Sequence, residues 1–154
     1  AKYEIIRKGV NSRLDTIQAA VLLAKLEVFE DELIARNRVA EKYTERLSQH
    51  VLTPVVHEGC TSAWAQYAIQ LENRDAVAAS LKSNGIPTAI YYPKPMHLQT
   101  AYGQFGDGPN SLPVSEELCR RVLCLPMHPY LTEGEIDRIS TAVISADADA
   151  GTVV

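Results

Sequence analysis

The sequence predicts an α+β fold, with long N-terminal helices followed by a small sheet covered by helices. Two observations point there. Apolar residues recur at steps of three and four from Leu14 to Val28, and a second helical run covers residues 32–49. Beyond His50 the pattern changes, and short β-rich stretches alternate with helical ones. At 154 residues, 46% hydrophobic and 22% charged, the chain is long enough to bury a core.

The elements follow in order. Residues 1–8 form an entry segment. Ser12 and Asp15 make an S-x-x-D capping pair for the first helix. Leu14, Ile17, Val21, Ala24 and Val28 then form one apolar stripe, which Leu22, Leu23 and Leu26 widen beyond a single face. A helix apolar on nearly all sides calls for burial on nearly all sides, hence contact beyond this chain's own core. The second helix carries Leu33, Ala40, Tyr43 and Leu47 on one face. Its charged face (Arg36, Arg38, Glu41, Lys42, Glu45, Arg46) reads as solvated.

"VLTPVVHEGCTS" reads as an extended segment and loop, and "AWAQYAIQLE" as a strand. Asn73 caps a helix over about 74–84, with Gly85 as its terminator. "IPTAIYYP" is β-rich and stopped by Pro93. Residues 94–112 form a long loop with a helical turn near 97–102. "PVSEELCRRV" is a short helix and "LCLPMHP" a short apolar strand, giving three strands in all. Thr132 and Glu135 cap a last helix to about Ala146. The expected division is 1–50 for the linker end and helices, 51–146 for the small α+β domain, and 147–154 for a frayed or disordered tail.

Composition narrows the function classes. The net charge is −4 with both signs scattered, so no basic block points to nucleic acid or a membrane surface. No apolar run has transmembrane length, and "AKYEIIRKG" has no apolar signal core. The three cysteines include no CxxC pair. Cys119 and Cys124 read as buried free thiols, which fits a reducing cytoplasm. The four histidines lie far apart, so no metal site is expected. There is no GxGxxG after a strand and no GxxxxGK[ST].

Two clusters carry candidate chemistry. Asn11 and Arg13 stand at the start of the first helix, where free backbone amides and the helix dipole favour an anion. An amide and a guanidinium there suit a phosphate or carboxylate. The alternative is local: Asn11 or Ser12 caps, and Arg13 pairs with Asp15 or solvent. The second cluster is "YYPKPMHLQTAYGQFG", where Tyr91 and Tyr92 precede a proline-stiffened loop bearing His97, Gln99 and Tyr102. Aromatic faces there suit bases or sugars, and polar tips suit hydroxyls and phosphates. The alternative is two half-buried tyrosines and a satisfied loop histidine. His128 reads as structural, Trp64 as core or interface, and His57 and Cys60 carry no argument.

"GVNSRLDTIQAAVLLAKLEVFEDELIARNRVAEKYTERL", "GIPTAIYYPKPMHLQTAY" and "LPVSEELCRRVLCLPMHPYLTEGEIDRI" resemble the C-terminal part of the DegT/DnrJ/EryC1/StrS family. The resemblance covers about residues 3–146, in the right order. It implies sugar aminotransferases of fold type I that depend on pyridoxal 5'-phosphate. Such enzymes hold the cofactor on a lysine of a large N-terminal domain. Lys2, Lys8, Lys25, Lys42, Lys82 and Lys94 do not match that lysine's motif, so no catalytic lysine is expected here.

The resemblance assigns Asn11 to the cofactor phosphate and Arg13 to phosphate or substrate anions, both reaching the neighbouring subunit's site in a homodimer. It assigns Tyr91, Tyr92 and His97 to the sugar-nucleotide pocket. Gln66 of "WAQY" departs from the aromatic-His pair many members carry, which weakens any role there. The implied reaction moves an amino group from glutamate to a keto-sugar nucleotide, closest to UDP-linked 3-keto sugars with an acetamido group at C2. Such sugars serve cell-surface polysaccharide or lipopolysaccharide synthesis. A same-family dehydratase or isomerase, and a non-enzymatic partner-binding module, remain the alternatives.

Overall fold

The computed structural model describes residues 4–7, 9 and 13–151. Helix α1 spans Thr16–Leu26, and α2 spans Phe29–Leu47 after a turn at Glu27 and Val28. The expected cap Ser12 lies outside the described residues. Asp15, in extended backbone, holds the N-cap position instead, and Gln18 Oε1 accepts from its N–H at 3.4 Å. D-x-x-Q satisfies a capping box as well as S-x-x-D does. No residue of α1 is buried. Leu14, Ile17, Val21, Leu22, Leu23 and Leu26 are all exposed, so the wide apolar stripe is left uncovered among the described residues.

The core begins on α2. Val39, Ala40, Tyr43 and Leu47 are buried at steps of one, three and four. The Tyr43 hydroxyl donates to the Pro126 carbonyl at 2.9 Å, and burial pushes its pKa up. Its charged face is less solvated than its composition suggests. Arg46 binds both Glu133 and Asp137 of the last helix, and Arg36 donates to the Trp64 carbonyl at 3.0 Å. Trp64 closes the same contact, its Nε1 donating to Asn37 Oδ1 at 2.9 Å, and it packs beside Tyr67.

Strands β1 (Tyr67–Gln70) and β2 (Val122–Leu125) pair antiparallel, with Tyr67 opposite Leu125 and Ile69 opposite Leu123. These four side chains are buried, and cross-strand apolar pairs are what stabilise such a ladder. The third expected strand is not formed. Only Ala89 pairs, exchanging both backbone bonds with Cys124 at 3.1 and 2.8 Å. Pro87 and Pro93 bracket it and have no N–H to extend the ladder. On the other edge Leu52 makes a single bridge to Gln70.

Helix α3 (Arg74–Ser83) ends at Asn84, and Gly85 takes φ +69 so that Ile86 N–H reaches back to the Leu81 carbonyl at 2.9 Å. Asn73 stands at its N-cap position, but its side chain donates to the Ala150 carbonyl at 3.2 Å. Helix α4 (Pro113–Arg121) runs straight into β2, and the nearly buried Arg74 donates to the Cys119 and Val122 carbonyls across that junction. Helix α5 spans Glu133–Gly151 and packs on α2 and α3, with Thr132 and Glu135 forming the expected cap. It runs past the end expected near Ala146, so residues 147–151 are helical. Ala146 is buried and Ala150 packs on the core four residues later, one turn on the same face. The rest of the expected tail, residues 152–154, lies outside the described residues.

Candidate functional site

Residues 94–112 leave the sheet, fold through two 3₁₀ turns at Met96–Leu98 and Gly103–Phe105, and return to α4. Between this loop and α4 lies a cleft of about 740 Å³, lined by Tyr91, Tyr92, Lys94, His97, Gln99 and Leu118 among others. Its walls are mostly apolar, with a few polar groups among them, the ordinary make-up of a small-molecule site. Tyr91 and Tyr92 sit at the rim with ring centroids 5.5 Å apart, joined by a cis peptide bond. Tyr92 is 61% exposed.

His97 lies deeper. Its side chain is 8% exposed and its Nε2 stands 3.1 Å from Glu116 Oε1, itself 11% exposed. Glu116 lies in the first turn of α4. Backbone hydrogen bonds from Asn110, the His97 side chain and the Leu112 backbone hold its carboxyl below its ordinary value. Gly106 backs the histidine: a Cβ there would lie 2.9 Å from His97 Cβ. His97 is therefore a satisfied loop histidine and a cleft wall at once.

Gln99 is 3% exposed and works as a clamp. Its Oε1 accepts from Ile5 N–H at 3.0 Å and its Nε2 donates to the Lys94 carbonyl at 3.3 Å. Ala101 N–H returns a bond to the Ile5 carbonyl at 3.0 Å. Glu4 accepts from Thr100 Oγ1 at 2.8 Å and from Lys94 Nζ at 3.1 Å, and these two groups lower its pKa. The entry segment is thus tied to the loop, and Ile5 becomes part of the cleft lining. Tyr102 caps the turn behind, its N–H on the Gln99 carbonyl, and does not line the cleft.

Arg13 is 87% exposed on its side chain and touches only Asp15, at 3.3 Å, among the described residues. That is the local pairing its sequence allows, and a surface pair of this kind holds weakly. Asn11 lies outside the described residues. Arg13 is not part of the cleft lining. His128 Nδ1 accepts from Tyr130 N–H at 3.3 Å, the single backbone partner expected of a structural histidine. Burial raises the Cys119 and Cys124 thiols above their ordinary values. Among the described residues no group of three or more His, Cys, Asp or Glu could hold a metal, and no helix is long and apolar enough to cross a membrane.

A family profile described as the DegT/DnrJ/EryC1/StrS aminotransferase family matches residues 1–144. The chain belongs to that family. It is 46% identical, over 92% of its length, to a Pseudomonas aeruginosa protein named UDP-2-acetamido-2-deoxy-3-oxo-D-glucuronate aminotransferase, of which it spans 39%. It is 40% identical, over 88% of its length, to the UDP-N-acetyl-3-dehydro-alpha-D-glucosamine 3-aminotransferase of Acidithiobacillus ferrooxidans, spanning 36% of it. A solved DegT/DnrJ/EryC1/StrS aminotransferase from Brucella abortus superposes with a TM-score of 0.83 at 52% identity, over 96% of this chain and 39% of that one. NtdA of Bacillus subtilis, solved with bound cofactor PMP, gives 0.76 at 25% identity, over 94% of this chain and 35% of NtdA.

Glu116, Gly106 and Ile5 were not legible as site residues. An acid in the first turn of a helix is ordinary, a glycine in a loop is ordinary, and Ile5 is remote in sequence from everything it lines.

Proposed function

We propose that residues 1–154 are the C-terminal part of a pyridoxal-phosphate-dependent aminotransferase. It moves an amino group from glutamate to a keto-sugar nucleotide, UDP-linked with an acetamido group at C2, for cell-surface polysaccharide or lipopolysaccharide synthesis. The observation that carries this reading is the cleft around Tyr91, Tyr92 and His97, in a chain 46% identical to an enzyme named for such a sugar. The chain spans well under half of that relative, so the remaining machinery lies outside these residues.

The residues present fit the phosphate end of the cofactor and nothing more. Among the described residues Arg13 is an exposed guanidinium with one weak partner, open to an anion, and Asn11 stands two positions before it in sequence. Together they would hold the phosphate in the neighbouring subunit of a cytoplasmic homodimer. Lys94, in the cleft, is committed to Glu4, and among the described residues no other lysine lines the cleft. The cofactor, when bound, supplies the amino-group carrier. Tyr91 and Tyr92 offer flat apolar faces to the base and sugar. His97 and the apolar wall of α4 orient the sugar ring and limit water.

The test uses the full-length protein loaded with pyridoxal phosphate, glutamate and a UDP-linked 3-keto sugar. Conversion of the ketone to an amine, read by mass spectrometry and matched to 2-oxoglutarate formation, is the expected result. A dehydrated or isomerised sugar with no 2-oxoglutarate would replace transamination by another reaction of the family.

A further inference from the structure

We propose that Glu116 is a positioning residue that fixes His97 as its Nε2–H tautomer, so that the cleft is offered Nδ1 as an acceptor for a hydroxyl or amide N–H of the bound molecule. The ligand half of this rests on the sugar-nucleotide reading of the cleft; the tautomer half does not.

The argument starts from Glu116. Its Oε1 accepts from Leu112 N–H at 3.4 Å and lies 3.1 Å from His97 Nε2. A further backbone hydrogen bond comes from Asn110. Backbone N–H groups can only donate, and a carboxyl receiving them is held as the anion. An ionised carboxylate has no proton to give. The proton in the His97–Glu116 bond therefore sits on Nε2. In neutral imidazole the other nitrogen then carries a lone pair. Among the described residues Nδ1 has no hydrogen-bond partner. The ring has little freedom to turn away, because both side chains are nearly buried and Gly106 lies against His97 Cβ and its carbonyl.

His97 lines the cleft, and a lone pair offered there would discriminate. A phosphate, with acceptor oxygens and negative charge, gains nothing from it. A sugar hydroxyl or an acetamido N–H does. His97 is thereby assigned to the sugar and not to the pyrophosphate.

The test is long-range proton–nitrogen correlation on the full-length protein labelled with 15N-histidine. The His97 signals are identified by their loss in His97→Asn. The expected result for the neutral ring, in alkaline buffer, is the Nε2–H tautomer alone. Glu116→Gln, close to isosteric, can turn an N–H toward the ring, and a mixed or Nδ1–H population is expected. Glu116→Asp keeps the charge and should retain Nε2–H. An Nδ1–H tautomer in the wild type, or no change in Glu116→Gln, overturns the assignment. In steady-state kinetics Glu116→Gln should raise KM for the sugar nucleotide about tenfold, the worth of one neutral hydrogen bond, with kcat nearly unchanged. A fixed tautomer with an unchanged KM would leave Glu116 positioning His97 but overturn the sugar's place in this cleft.

Discussion

Gly106 and His97 approach so closely that a Cβ on the glycine would stand 2.9 Å from His97 Cβ and 3.3 Å from its carbonyl oxygen. Gly106 is thus required for want of space, since its backbone is extended at φ −123. Gly106→Ala should cost about 1–3 kcal/mol, the usual penalty for overpacking, and raise KM for the cleft's ligand. Gly103, with nothing within 4 Å of its built Cβ, supplies the control. Gly103→Ala should change stability by about 0.5 kcal/mol or less. Denaturant melts of the two variants, compared with wild type, check this; equal losses would mean the contact is not the cause.

Gln99→Leu should leave Ile5 N–H without the acceptor it now has at 3.0 Å. Losing the partner of a largely buried donor costs about 1–3 kcal/mol. The loss should appear as faster hydrogen exchange at the Ile5 and Ala101 amides, which pair around this clamp, with little change at the distant β1–β2 ladder. Unchanged exchange at Ile5 would show that Glu4 and its partners hold the segment alone.

Acid should loosen the same region early. The folded-state values of Glu116 and Glu4 lie below the ordinary 4.5, Glu116 first through the Asn110 backbone and Glu4 first through Thr100. A depressed carboxylate contributes stability in full above its unfolded value and loses it as pH falls through the folded one. The loop around residues 94–112 should therefore hold through pH values near 4.5 and open below. Glu116→Gln should flatten that acid limb, seen by hydrogen exchange or Tyr fluorescence. An acid limb unaltered in Glu116→Gln would remove Glu116 as its source.

Residues 1–154 expressed alone should self-associate or bind a hydrophobic dye, because Leu14, Ile17, Val21, Leu22, Leu23 and Leu26 are all exposed on or beside α1. Leu22→Glu with Leu26→Glu should suppress both. A strictly monomeric chain at high concentration with no dye signal would count against the expectation.

Mixing two inactive full-length variants tests the reach of Asn11 and Arg13. One lacks the cofactor-binding lysine, and the other carries Asn11→Ala with Arg13→Ala. If these side chains serve the neighbouring subunit, one site of a mixed dimer inherits both defects and the other neither. Random pairing of a closed two-fold dimer should return roughly one quarter of wild-type activity. Residues acting within their own subunit would restore nothing, with subunit exchange checked separately.

Much of this was legible locally. Thr132, Glu135 and Gly85 act through bonds within one turn of chain, so their sequence spacing suffices, whereas the first helix takes its cap at Asp15 with Gln18 and not at the expected Ser12–Asp15 pair. The stripe from Leu14 to Leu26 declared its need for a partner, since apolar period alone states how much of a helix must be covered. The strand expected over 86–93 does not form, because β-rich composition says what a side chain tolerates, whereas pairing needs a neighbour with free backbone groups, and the prolines leave Ala89 alone with Cys124.

The sequence by itself determined the order of the helices and of the two paired strands, the aromatic and histidine chemistry of residues 91–97, and the kinship they carry. Only the tertiary structure decided how that chemistry is set. Residues 5, 97, 99, 106 and 116 meet through loop closure across up to 94 positions. A hydrogen bond such as His97 to Glu116 depends on the distance between two atoms and leaves no periodic trace in the chain. The same holds for the charges of α2. Arg46 looked like one solvated residue among many, and it became a bridge to Glu133 and Asp137 because α5 packs beside it, a placement fixed by burial of Ile136, Ile139 and Val143.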